Sequence, residues 1–271
     1  MRVLIRELVD AGLLPTRHRE GFLLLIRAYF DDSGTHTDSL VTVMGGLLGT
    51  VDQWEEFERD WARKLDAPLP GKPALQKGFH LSHCNAKSGE FSGYSDAEQD
   101  AVIHDFREII LNAKLTSMAS CVDRRAWNEL VVGGYRDVLG DALSVCFFDC
   151  IDEVVRIVQP VYGHDKIAII FDEGIWSQRL QTIGEQWNNH QLDIVTVTFA
   201  QISEVLPLQG ADIVATENYW HALDWLKRGD DALPRPHLRH YLANMLHQGR
   251  ILDREAIQNE IARRGPDGRA P

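Results

Sequence analysis

Two apolar segments in this chain run straight into carboxylates. Leu23-Leu24-Leu25-Ile26 and Ala28-Tyr29-Phe30 lead to Asp31-Asp32-Ser33-Gly34, and Ile167-Ala168-Ile169-Ile170-Phe171 leads to Asp172-Glu173-Gly174. Apolar runs of that length, stopped by turn residues, predict buried strands. A carboxylate at the end of a buried strand is costly unless its charge is compensated, and a divalent cation is the usual compensator. A third carboxylate, Asp212, lies in a stretch of helical period beside Gly210 and Ala211, small residues that let a helix backbone approach its neighbour. Gln209 and Asp212, spaced i, i+3, share a helix face. Three carboxylates at one sheet end suit one or two octahedral Mg²⁺ or Mn²⁺ ions, which prefer oxygen ligands. Two such ions about 4 Å apart activate a water and stabilise the leaving oxygen in phosphodiester hydrolysis. Taken singly, each aspartate also reads as a cap or turn residue, and Asp212 as the partner of a Lys or Arg. The coincidence of three points to a site.

The elements that must position these residues follow from the hydrophobic period. Residues 34–39 are a turn-rich link and Leu40 to Leu48 a second apolar run, so the chain is expected to open as an antiparallel hairpin. Residues 52–65 have helical period, with Trp54, Phe57, Trp61 and Leu65 on a core stripe, Asp52 as the expected N-cap and Glu55 at the capping-box position. Pro68, Pro70 and Pro73 make residues 67–78 a loop, which delivers Phe79-His80-Leu81-Ser82-His83-Cys84 and then Gly89-Glu90-Phe91. Ser95, with Glu98 in the capping-box position, starts a helix to about Asn112. Further on, residues 115–122 read as strand, 137–158 as one long buried helix, 176–190 as helix, 193–202 as strand and 207–227 as the helix carrying Gln209 and Asp212. A polar break at 230–237 precedes a short helix near 238–247, a last helix near 251–263 and a tail read as disordered. The expected division is an accessory segment at 1–22 with a short helix through Val3, Leu4, Leu8, Val9 and Leu13, an α/β domain at 23–228, and a helical extension and tail at 229–271.

Composition narrows the function classes. With 271 residues, 44% of them hydrophobic, the chain can fill a sizeable core. No run approaches the ~20 apolar residues of a membrane span, and Arg2, Arg6, Glu7 and Asp10 break any secretory h-region, so a cytoplasmic protein without membrane contact is expected. Cys84, Cys121, Cys146 and Cys150 form no C-x-x-C pair and read as reduced thiols. The net charge of −12 argues against loose, sequence-independent binding to nucleic acid. It leaves a nuclease open, because metals neutralise clustered carboxylates and a local basic strip guides a polyanion. Lys227, Arg228, Arg235, His237, Arg239 and His240 are the candidate strip.

The same residues resemble a family. Tyr29-Phe30-Asp31-Asp32-Ser33-Gly34 is similar to the Y-x-D-E-S-G opening of the domain of unknown function 3800 family. The likeness continues through Gly45-Gly46, the Trp54/Phe57/Trp61 helix, Phe79-His80 with Gly89-Glu90-Phe91, the strand ending at Asp172, and Leu208-Gln209-Gly210-Ala211-Asp212, similar to the family's L-Q-x-A-D. It covers roughly residues 25 to 225. The resemblance implies a ribonuclease H-like α/β fold, here with added N- and C-terminal helices. It also implies that Asp31, Asp172 and Asp212 are metal ligands, with His80 and Gln209 in supporting roles. Two departures stand out. Asp32 replaces the family's Glu, and His83 falls where relatives carry an acid after the F-H motif, so that Glu90 or Glu173 would have to supply a fourth ligand.

Three other readings compete. Phe30-Asp31-Asp32-Ser33-Gly34-Thr35 with Asp38-Ser39 looks like the D-x-D-G-T motif of haloacid-dehalogenase-like phosphatases, but Ser33 stands where the acid/base aspartate is needed. His80, His83 and Cys84 are competent zinc ligands without a fourth partner at zinc spacing. A non-catalytic nucleic-acid or protein-binding module with a degenerate metal site is the remaining alternative. The leading expectation is a divalent-metal-dependent nuclease acting on nucleic acid or nucleotides. Asp31 bridges the metals, Asp172 and Asp212 hold one each, His80 contacts the scissile phosphate or moves a proton, Gln209 orients the site, and Asp32, Ser33 and Glu173 lie close by.

Overall fold

Alternation along the first strand sets the architecture. In β1 (Ile26–Ser33), Ile26, Ala28 and Phe30 pack into one apolar core and Tyr29 into another, so the strand is covered on both faces. The computed structural model describes residues 26–162, 167–174, 182 and 195–264. Within them, β2 (Val41–Thr50) pairs antiparallel with β1 and with β3 (Thr116–Asp123). β4 (Ile167–Asp172) runs parallel to β1, β5 (Val195–Ala200) parallel to β4, and β6 (His247–Leu252) parallel to β3. The resulting six-stranded sheet has the order β5-β4-β1-β2-β3-β6, with β2 alone running against the rest.

In chain order the helices are α1 (Val51–Asp66), α2 (Leu81–Asn85), α3 (Asp96–Asn112), α4 (Arg124–Leu130), α5 (Gly134–Leu139), α6 (Ala142–Tyr162), α7 (Leu206–Arg228), α8 (Pro236–Asn244) and α9 (Arg254–Arg264). α1, α2, α3 and α7 enclose one core around Trp54, Phe57, Trp61, Phe79 and Phe106; α4, α6 and α9 enclose the other around Phe147, Ile151 and Phe171. This is the mixed sheet with helices on both faces expected of a ribonuclease H-like α/β domain. The aromatic stripe of α1 is fully buried as expected, and all four cysteines are free and buried. No described helix is long and apolar enough to cross a membrane.

Several boundaries differ for physical reasons. α1 begins at Val51, because Thr50, still extended at the end of β2, forms the capping box with Gln53 in place of Asp52 with Glu55. The single helix expected at 137–158 is two, broken at Gly140, whose φ of +75° ends α5. The helix expected to reach His247 stops at Asn244, and residues 247–252 join the sheet as an edge strand beside β3. The accessory segment at 1–22, nearly all of the 176–190 helix and the tail beyond Arg264 lie outside the described residues.

Candidate active site

Strand parity brings the first two aspartates together. The face of β1 that carries Tyr29 continues to Asp31, and the face of β4 that carries Ala168 and Ile170 continues to Asp172. Both belong to the side covered by α7. Because β1 and β4 are parallel with Phe30 beside Phe171, Asp31 stands at the level of Asp172, the last residue of the adjacent strand. Asp31 pairs across the hairpin with Gly45, and a Cβ on Gly45 would lie 2.6 Å from the Ala215 nitrogen and Cα. The glycine therefore lets the backbone of α7 rest directly on β2. Asp212, one turn before Ala215, is brought to the same sheet end by that contact.

Asp31 and Asp32 are held by donors of their own turn, Asp172 and Asp212 by backbone N–H groups from distant segments. Asp31 Oδ1 accepts the Asp32 N–H at 2.8 Å, and Asp32 Oδ2 accepts the Thr35 hydroxyl at 2.9 Å. Asp172 Oδ1 accepts the Ile202 N–H at 2.9 Å. Asp212 Oδ2 accepts the Leu81 N–H at 2.7 Å, and its Oδ1 accepts the Thr216 hydroxyl at 3.3 Å. The other Asp31 oxygen accepts no hydrogen bond among the described residues. His80 Nδ1 stands 3.9 Å from Asp212 Oδ2, beyond hydrogen-bond distance, with the His83 ring 5.2 Å from its own.

Gln209 ties these parts together. Its Oε1 accepts both the Phe79 N–H and the Trp61 indole N–H at 2.9 Å, and its Nε2 donates to the Ile202 carbonyl at 3.2 Å. Gln209 and Asp212 thus grip the backbone on either side of His80, while Gln209 also fixes the residue whose N–H holds Asp172. Gly78, at φ +85°, makes room: a Cβ there would lie 2.4 Å from Gln209 Nε2.

The electrostatics are those of crowded like charges. Burial raises the Asp31 carboxyl well above the usual carboxylate range, and the charges of Asp212, Asp32 and Asp172 add to it. Asp172 is pushed up to about 6, chiefly by burial, with the Ile202 N–H opposing. Asp32 and Asp212 are also raised by burial, the latter against the Leu81 N–H and the nearby His80. Burial lowers His80, Asp212 pulling the other way, which favours the neutral imidazole.

Other expected participants stand apart. The Ser33 hydroxyl makes no hydrogen bond among the described residues, and Glu173 is exposed, anchored through its N–H to the Ala200 carbonyl. Glu90 commits both carboxyl oxygens to the Gln76 and Lys77 N–H groups, so it braces the proline-rich loop. Cys84 is buried and its thiol is pushed up to about 12, unsuited to nucleophilic or zinc chemistry. For the phosphatase reading, Asp230 and Asp231 lie in an exposed turn after α7 rather than at a strand end. Half of the basic strip is engaged: Arg228 pairs with Asp224, Arg235 lies over Trp220, and His240 meets Glu108. Thr35 and Thr216 escaped sequence reading, although their spacings of three and four from Asp32 and Asp212 are those of local side-chain hydrogen bonds.

The donor set is hard carboxylate oxygen at a desolvated, like-charged sheet end, which fits a hard divalent cation. Among the described residues, however, no three His, Cys, Asp or Glu side chains are drawn together as a ready-made metal-binding group.

No protein-family model matches the chain, and no curated protein matches it. Among solved structures it is similar to one titled as the PCNA:RNase HII complex from Archaeoglobus fulgidus, at 12% identity and a TM-score of 0.39, covering 80% of this chain and 87% of that one. It is also similar to Bst-RNase HIII in complex with Mn²⁺, at 11% identity and a TM-score of 0.42, covering 76% of this chain and 56% of that one.

Proposed function

We propose that this chain is a Mg²⁺- or Mn²⁺-dependent nuclease that hydrolyses phosphodiester bonds of nucleic acid or nucleotides, and that it is a member of the domain of unknown function 3800 family. The observation that carries the reading is the meeting of Asp31, Asp172 and Asp212 at one sheet end, where burial first, and then the charges of Asp212, Asp32 and Asp172, raise the proton affinity of Asp31. Perturbed carboxylates gathered at one sheet end are costly to stability and occur where chemistry needs them. Asp31, Asp172 and Asp212 would hold the metal, with Asp32 beside them. A bound divalent ion supplies a nucleophilic water near neutral pH and charge stabilisation at the phosphoryl oxygens.

The chain's own residues do the rest. Gln209 and Asp212 fix the Phe79–Leu81 backbone, so that His80 faces the carboxylates in its neutral form. A neutral imidazole there takes a proton from water or donates one hydrogen bond to a phosphate oxygen. The test is cleavage of end-labelled single- and double-stranded DNA, RNA and hybrid in Mn²⁺, Mg²⁺ and EDTA, with Asp31→Asn alongside. Metal-dependent products lost in the variant are expected; equal products from the variant refute the assignment.

A second reading, a non-catalytic binding module on the same fold, is favoured by the lack of a ready-made metal-binding group among the described residues. Nucleic-acid binding that is unchanged by EDTA and by Asp31→Asn, without cleavage, would identify it.

A further inference from the structure

On the α6 side of the sheet lies a cleft of about 330 Å³ lined by Thr35, Thr42, Arg124, Asn128, Arg136 and Asp141, together with Ala142 and Leu143. Parity explains its place. Asp32 is on the opposite face of β1 from Asp31, the face that carries Phe30, and Thr42 is on the α6 side of β2, where the Cys146 thiol donates to its carbonyl. Thr35 joins the two regions, since it lines the cleft and its hydroxyl donates to Asp32 Oδ2 at 2.9 Å.

Two guanidiniums half-buried in this cleft have no carboxylate partner among the described residues. Arg136 Nη1 donates to Asn128 Oδ1 at 3.2 Å, a neutral acceptor. Arg124 Nη1 donates to the His36 carbonyl at 2.5 Å and to the Gly34 carbonyl at 3.3 Å, both in the turn that follows the Asp31-Asp32-Ser33 strand end. Elsewhere Arg107, Arg156, Arg250 and Arg254 each hold a carboxylate. The one acid in the cleft, Asp141, is committed to capping α6: its Oδ1 accepts both the N–H and the hydroxyl of Ser144. A chain of net charge −12 with four carboxylates at its sheet end repels a polyanion, so cations beside them decide where one docks.

We propose that this cleft is a phosphate subsite, in which Arg136 and Arg124 hold a phosphate group of the substrate away from the one under attack, round the end of β1 from the carboxylates. The inference rests on the nuclease reading above and adds the direction in which the substrate leaves the carboxylates, across Asp32 and Thr35 toward α4 and α5. Guanidinium is suited to the task because its planar fork meets two phosphate oxygens at once.

The test uses the full chain with Ca²⁺ in place of Mn²⁺, and fluorescence anisotropy on labelled oligonucleotides with and without a terminal phosphate. Wild type, Arg136→Gln, Arg136→Lys and Arg124→Gln are compared over a salt series, and Mn²⁺ binding by each is measured by calorimetry. Arg136→Gln is expected to weaken oligonucleotide binding about tenfold and to reduce the slope of log affinity against log salt by ~0.7–0.9, with Mn²⁺ binding unchanged. Arg136→Lys is expected to keep the salt slope and recover part of the affinity. A loss confined to terminally phosphorylated oligonucleotides assigns the cleft to an end phosphate, and a loss with both kinds to a backbone phosphate. Arg124→Gln also loosens the turn after β1, so the decisive variant is Arg136→Gln. Unchanged affinity and slope in Arg136→Gln overturn the subsite, as does wild-type protein that binds Mn²⁺ but no oligonucleotide. Absent Mn²⁺ binding by wild type overturns the metal site itself, a separate failure.

Discussion

Replacing Asp172 with asparagine is expected to stabilise the metal-free protein, the opposite of what most substitutions at a hydrogen-bonded residue do. Asn keeps an oxygen for the Ile202 N–H, now 2.9 Å from Asp172 Oδ1, and removes the charge, with an NH2 in place of the second oxygen. That charge is unfavourable in the folded state. A rise from 3.8 to about 6 corresponds, at 1.36 kcal/mol per unit, to about 3 kcal/mol at pH above both values. Asp172 is partly exposed, and solvent screening brings the expected gain to about 1–2 kcal/mol. The sign follows from proton linkage: between pH 3.8 and about 6 the folded protein binds more protons than the unfolded one, so wild-type stability falls as pH rises through that window. Asp172→Asn escapes this loss. Urea denaturation in EDTA should therefore show the variant more stable by about 1–2 kcal/mol at pH 7.5, with the gap closing toward pH 4. Equal or lower stability at pH 7.5, or a gap independent of pH, would refute the picture of a crowded carboxylate cluster.

Other perturbations probe the scaffold around the cluster. Gly45→Ala places a methyl 2.6 Å from the α7 backbone, where no flexible side chain can yield. It should cost about 1–3 kcal/mol in thermal or urea unfolding and weaken Mn²⁺ binding by moving Asp212 off the sheet end. Gln209→Leu strands the buried Phe79 and Trp61 N–H donors, an expected loss of about 2–5 kcal/mol that urea titration reads directly. Arg107→Ala leaves Glu217 charged and nearly fully buried, at a cost of about 3–5 kcal/mol; the same variant should leave Mn²⁺ binding intact if it folds, since neither residue of that pair acts on Asp31, Asp172 or Asp212.

How far the chain was legible follows from which interactions are local. The strand end at Asp172, the α1 stripe and the Ser95 cap are written in period and turn chemistry and stand where the sequence puts them, whereas β1 runs two residues past Asp31, since Asp32 and Ser33 still pair with Met44 and Val43. The strand His247–Leu252 buries only Leu252 and leaves Gly249 and Arg250 exposed, because an edge strand needs a single neighbour, here β3; its pattern therefore shows no strand period. The donors on Asp172 and Asp212 are backbone N–H groups of Ile202 and Leu81, which any sequence would offer, so their roles appear only once the chain is folded. Gln209 stands on the Asp212 face as its spacing predicts, but its attachment to Trp61, Phe79 and Ile202 depends on Gly78 and on the burial of α1 against α7. That Arg124 and Arg136 lack a carboxylate partner among the described residues is likewise a property of the fold, since carboxylates are plentiful in the sequence around them.

Calorimetric titration of Mn²⁺ into the wild-type protein and into Asp31→Asn, Asp172→Asn and Asp212→Asn tests most directly whether these carboxylates form one metal site. One site requires saturable binding by wild type and loss of most of the heat in every variant, each variant remaining folded by circular dichroism. Wild-type protein that takes up no Mn²⁺ at millimolar concentration, or a variant set that binds as wild type does, contradicts it.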